Sequence, residues 1–266
     1  MQNALRRYSA GVHRYSRYVA IGDSQTEGLW DGNDSTGLVG FADRLAALLD
    51  AHHPGLEYAN LAVRGRRILD LLVEQLPLAL AMRPDLITVC IGMNDVTRPG
   101  PYFDRALADL DTLHGRLAES GATVVTTTFP DLTQILPVGR VIASRVLRIN
   151  EEIRAAAQRH DFRLVDLYGA PSMADPQTWS PDRVHGSTQG HILFAAAAAE
   201  ALDLPGSSHD WAQPEGMRRS SIRARAHSQV LWTNNLLMPW LWRSVRGRSE
   251  GDGRGPKRPR LTRVPV

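Results

Sequence analysis

Five short apolar runs rich in β-branched residues recur along the chain, separated by stretches of helical spacing. They are YVAIG (18–22), LEYANLA (56–62), DLITVCIG (85–92), ATVVTTTF (122–129) and FRLVDLY (162–168). Near-continuous hydrophobicity, rather than strict alternation, suits strands covered on both faces. Between them, FADRLAALLDAHH sets Phe41, Leu45, Leu48 and Leu49 on one side of a helix, and ILDLLVEQLPLALAM is expected to be bent or interrupted by Pro77. Three more helical patterns follow, in DRALADLDTLHGRLAES, RVIASRVLRINEEIRAAAQ and TQGHILFAAAAAEAL. Strand–helix alternation with crossovers of this length predicts an α/β fold, a three-layer α/β/α sandwich around a parallel sheet. A flavodoxin-like five-stranded parallel sheet of order 2-1-3-4-5 is the simplest arrangement with right-handed crossovers. Such a sheet takes its ligand beyond the carboxyl ends of the first and third strands. Those strands end at Gly22-Asp23-Ser24 and at Gly92-Met93-Asn94-Asp95.

The pattern changes at both ends of the chain. Residues 1–17 read as an N-terminal extension, 18–204 as the α/β domain and 205–266 as a basic C-terminal extension. Within the last, PGSSHDWAQPEG has linker composition, 228–246 is an aromatic and apolar helical segment, and the Gly/Pro/Arg-rich end is expected to be disordered. Charge divides the same way. Residues 205–266 hold 12 Lys or Arg against 4 Asp or Glu, so an acidic body carries a basic tail. The body offers no electrostatic reason to expect a nucleic-acid partner. The tail leaves two partner readings, a homo-oligomer or an anionic membrane surface. No run of 18 apolar residues or secretory leader is present, and the single Cys90 excludes an internal disulfide, so we expect a cytoplasmic protein.

Ser24 is a hydroxyl at a strand-to-helix turn, where backbone N–H groups point outward. A nucleophile there needs a base and an oxyanion hole. Asp182 and His185, three apart in SPDRVHGSTQGH, can set a carboxylate against an imidazole and leave the other ring nitrogen for the serine. The ordinary reading of such a pair is a surface loop. Gly65, after the second strand, can offer a backbone N–H at close approach, and Asn94 a side-chain amide. Asp23 and Asp95 read as braces of their turns, Arg64, Arg66 and Arg67 as a solvated charged turn, and His191 as a packing or capping residue. Thiolate clusters and H-E-x-x-H spacing are missing, so neither a metal nor another cofactor is expected.

Gly22-Asp23-Ser24, Asn60 with Gly65, Gly92-Met93-Asn94-Asp95 and Asp182 with His185 follow one another in the order found in the SGNH, or GDSL, hydrolases. The sequence resembles the bacterial GDSL-like lipase/acylhydrolase branch of that family over about residues 18–203. The resemblance implies a serine esterase acting on a small-molecule ester, with Ser24 as nucleophile, His185 as base and Asp182 as its partner. It also implies an oxyanion hole formed by the Ser24 N–H, the Gly65 N–H and the Asn94 side chain. Gln25 stands where the family signature has Leu, and Gly186 where Pro is frequent; neither is expected to touch a catalytic group. The same acyl-enzyme could pass its acyl group to an alcohol, making an acyltransferase. A non-catalytic anion-binding module on the same fold is the alternative from another class, but it has no use for Asp182 and His185.

Overall fold

A computed structural model describes residues 14–98, 101–136, 139–214, 251 and 253–264. The aromatic segment 228–246 and residues 1–13 of the N-terminal extension lie outside the described residues. The chain opens with β1 (Arg17–Gly22), followed by the short helix α1 (Ser24–Glu27) and a small hairpin of β2 (Gly32–Asn33) and β3 (Gly37–Leu38). Helix α2 (Gly40–His52) leads to β4 (Glu57–Asn60). The next helix, α3, runs through Ile68–Asp70, a π-helical Leu71–Gln75 and Leu76–Ala81 before β5 (Leu86–Cys90). Then come α4 (Met93–Val96), α5 (Tyr102–Ala118), β6 (Thr123–Thr127), α6 (Gly139–His160), β7 (Arg163–Val165), α7 (Thr188–Ala201) and β8 (Arg258–Arg263).

The sheet order is β7-β6-β5-β1-β4-β8. Five strands are parallel and β8 runs antiparallel along β4, so the sheet is six-stranded and mixed rather than five-stranded and purely parallel. The turn from β1 into β4 moves one way across the sheet and the later crossovers the other way. Right-handed crossovers therefore put α2 on one face and α3, α5 and α6 on the opposite face. Helix α7 returns to pack on α2.

Strand β1 is central, and Tyr18, Val19, Ala20 and Ile21 are fully buried. Burial of Tyr18 leaves its hydroxyl needing a partner, which it finds in Thr88 Oγ1 at 2.8 Å, while its ring stacks on Tyr58. The π-helical turn of α3 carries Gln75 to the end of β1. There its amide accepts from Gly22 N–H and donates to Gly22 C=O, both at 2.9 Å. The side-chain amide thus stands in for a strand neighbour just before Ser24.

Strand β8 overturns the expectation of a disordered end. Glu57 pairs with Arg263 and Asn60 with Arg258. Pro259 lacks an N–H, which an edge strand tolerates. Arg258 lies over the Tyr58 ring, and Lys257 reaches Asp43 and the Leu38 and Val39 carbonyls. Part of the tail's positive charge is therefore spent on the acidic body. The stretch expected as a linker also packs back in part, since Trp211 is buried and donates its indole N–H to Glu200. Leu48 departs from its expected place as well and is 41% exposed on α2.

Candidate active site

The switch point between β1 and β5 gathers the residues singled out above. Asp23 caps α1 by accepting from Gln25 N–H, and this fixes Ser24 at the first helical position. His185 Nε2 lies 2.7 Å from Ser24 Oγ, and His185 Nδ1 lies 2.7 Å from Asp182 Oδ2. Since the carboxylate can only accept, Nδ1 carries the proton and Nε2 is left to accept from the serine hydroxyl.

The loop bearing Asp182 and His185 is built around the acid itself. Asp182 Oδ1 accepts from Ser180 Oγ and from the Val184 and His185 N–H groups, and Oδ2 accepts from Trp30 Nε1 at 2.6 Å. Burial opposes charge on Asp182. The His185 hydrogen bond and charge, with the His185 N–H and Ser180 bonds, outweigh it and hold the carboxyl well below the usual range. Trp30 has φ 71°, a backbone conformation unfavourable for a large side chain. The next residue anchors it, because buried Asp31 grips Arg44 through two bonds and accepts from Gly40 N–H.

On the other side of Ser24, the Asn94 amide donates to Asp23 Oδ2 at 3.2 Å and to Arg66 C=O at 2.9 Å. It therefore ties the neighbour of Ser24 to the neighbour of Gly65. Gly65 has φ 76°, which a glycine adopts without strain. Asp95 accepts from Ile68 N–H and braces the loop after β5. Burial raises Asp23 to about 6 and Asp95 to about 7, against the donors and cations that favour their charge.

Two expectations for side chains around this centre change. Arg64 is buried, not solvated, and grips Glu27 of α1 while its own N–H donates to Glu27 Oε2 at 2.7 Å. The tail closes over this pair. Gly251 sits so near Arg64 that a Cβ there would lie 2.2 Å from the Arg64 carbonyl oxygen, and Arg254 pairs with Asp34 beside it. Gln25, expected to touch nothing of consequence, bonds both peptide groups that flank His185. The hydrogen bonds that Glu27, Trp30 and Gln25 make here were not foreseen because each is made to a residue distant in sequence, and no local periodicity signals that. His191 is a buried packing residue, accepting from Phe41 N–H at Nδ1 and bonding Leu29 C=O at Nε2. Among the described residues, no group of three or more His, Cys, Asp or Glu side chains is arranged to hold a metal ion. No helix among them is long and apolar enough to cross a membrane.

Comparison with known proteins finds ester hydrolases and structures of the same fold. An acetylxylan esterase of Geobacillus stearothermophilus is 26% identical over 203 residues, covering 68% of this chain and 91% of the relative. A solved α/β hydrolase enzyme from the metagenome of Lake Arreo, Spain, is similar at 25% identity and TM-score 0.57, covering 71% of this chain and 95% of that one. The crystal structure of the Geobacillus acetylxylan esterase shares the fold, with TM-score 0.59 at 20% identity over 73% of this chain and 97% of that one. The profile of the GDSL-like Lipase/Acylhydrolase family matches residues 20–193, and the chain belongs to that family as a hydrolase acting on ester bonds.

Proposed function

We propose that the chain hydrolyses carboxylic esters through an acyl-enzyme on Ser24. The observation that carries this reading is the continuous relay from Ser24 Oγ through His185 to Asp182, with both hydrogen bonds at 2.7 Å. As Ser24 Oγ bonds to the ester carbonyl carbon, its proton passes to His185 Nε2 and the carbonyl π electrons move onto oxygen. Asp182 stabilises the imidazolium through Nδ1–H without taking the proton. The Ser24 and Gly65 N–H groups and the Asn94 amide receive the oxyanion. For Asn94 this means releasing the longer of its two bonds, the one to Asp23. Collapse breaks the bond to the alcohol, which leaves with the proton from Nε2. Water then repeats the sequence on the acyl-enzyme, releasing the acid and restoring Ser24.

Among small esters, we favour acetyl groups carried on a sugar. The support is the acetylxylan esterase relative, together with the indole of Trp30, 43% exposed at the rim beside Asp182. The experiment is turnover of p-nitrophenyl acetate and of an acetylated xylo-oligosaccharide by the parent and by Ser24→Ala. Loss of both activities in a folded Ser24→Ala protein is expected; a kcat like the parent's removes Ser24 from the mechanism. Faster turnover of a long-chain ester than of either acetate defeats the acetyl-sugar reading alone.

A further inference from the structure

The loop that carries His185 and the turn that carries Ser24 are 161 residues apart in the chain, so cross-links between them help set the distance the relay needs. The His185 loop is internally stiff. Asp182 caps its own backbone, Ser180 N–H donates to His185 C=O at 2.9 Å, and Trp179 and Gly186 form an isolated β-bridge. Such a loop moves as a unit, so what matters is how the unit is attached. Gln25 follows the nucleophile directly. Its Nε2 donates to the Val184 carbonyl at 3.0 Å, and its Oε1 accepts from Gly186 N–H at 3.2 Å. Both halves of one amide thus bracket His185 from the adjacent peptide groups, as Gln75 brackets Gly22 on the strand that leads to Ser24.

We propose that Gln25 is a positioning residue that sets the approach of His185 Nε2 to Ser24 Oγ. It touches neither reacting atom, and its effect passes through His185 alone. The inference rests on the relay proposed above. Misplacing a reacting group by about 1 Å can cost on the order of 10² in rate, and this sets the scale.

A double-mutant cycle with p-nitrophenyl acetate tests it, using the full chain carrying Gln25→Met, His185→Ala or both. Methionine keeps the length and removes both hydrogen bonds. Gln25→Glu serves as a second variant, keeping the acceptor for Gly186 N–H and losing the donor to Val184. Gln25→Met is expected to lower kcat about 10- to 100-fold with KM within about twofold. Gln25→Glu should fall between it and the parent, and Gln25→Met should have no further effect when His185 is already alanine. A kcat for Gln25→Met within twofold of the parent, beside an inactive His185→Ala, overturns the positioning role and leaves the relay standing. Equal losses from Gln25→Met in both backgrounds also overturn it, since Gln25 would then act without His185. Parent-like activity of His185→Ala instead defeats the relay itself, and with it any role in positioning that base. Should Gln25→Met not fold, Gln25→Glu carries the same cycle with the same outcomes.

Discussion

Asp182 and Asp23 stand on opposite sides of Ser24, and both are nearly closed to water, at 8% and 3% exposure. Burial pushes both carboxyls toward the neutral form, yet Asp182 titrates well below the usual range and Asp23 is raised to about 6. The difference lies in the donors. Asp182 gathers two backbone N–H groups, a serine hydroxyl, an indole N–H and the imidazole, whereas Asp23 has the Gln25 N–H and one long bond from Asn94. Depth alone therefore does not decide the charge of a buried carboxyl; the hydrogen bonds it accepts and the charges beside it do. The His185 side of Ser24 therefore holds a firmly fixed negative charge, while Asp23 and Asp95 on the Asn94 side bind their protons more tightly and hold theirs less firmly.

Removing the fixed charge should have the largest effect. Asp182→Asn leaves the shape but presents an amide to Nδ1 and favours the wrong tautomer, so kcat for p-nitrophenyl acetate should fall by about 10³–10⁴. A fall of less than tenfold would mean that the donors around Asp182 serve the loop and not the imidazole. Across the nucleophile, Asn94→Ala should lower kcat by about 10²–10³ with little change in KM, as loss of one oxyanion donor does. A change in KM alone would mark Asn94 as a substrate contact instead.

Trp30→Phe sharpens the comparison by taking one donor from Asp182. We expect a several-fold loss of kcat together with a shift in acid stability. A depressed carboxyl gives stability that is present above its unfolded value near 3.9 and is lost as pH falls toward its folded value. Removing a donor brings the folded value up, so acid unfolding followed by circular dichroism should begin at higher pH than in the parent.

The smallest effect on catalysis is expected at Asp95, raised to about 7 by burial. A raised acid has its stabilising protonated form intact below about 3.9 and loses that contribution as pH climbs through the folded value. Asp95→Asn resembles the protonated acid and can still accept from Ile68 N–H. Its Tm should match the parent's near pH 4 and exceed it at pH 8, where the gain in stability is at most ~4 kcal/mol, with kcat within a few-fold. Equal Tm values at both pH values would show that Asp95 carries no such strain.

Much of this was legible in the chain. The parallel strands announced themselves as unbroken apolar runs because they are covered on both faces, and the residues of the relay lie where two strand ends meet. Strand β8 was not legible, for a physical reason. RPRLTR lies on an edge with most of its residues exposed, so it needs neither an apolar run nor alternation, and arginines and a proline conceal it as a solvated tail. The Glu27–Arg64 pair was equally hidden, because a buried ion pair and two surface charges are written with the same letters. Leu48 erred in the opposite direction: helical spacing groups apolar residues on a face, but the width of the buried stripe depends on the partner helix.

Strand β8 also gives the molecule an order in time. Residues 57–60 leave the ribosome long before residues 258–263, by about 10–40 s at ordinary elongation rates of roughly 5–20 residues per second. Through that interval the outer edge of β4 has its peptide groups open to any passing strand. The Glu27–Arg64 pair likewise awaits Gly251 and Arg254. A nascent chain therefore exposes the edge of β4 until residues 258–263 emerge, and that stretch is what shields it from its neighbours on the polysome.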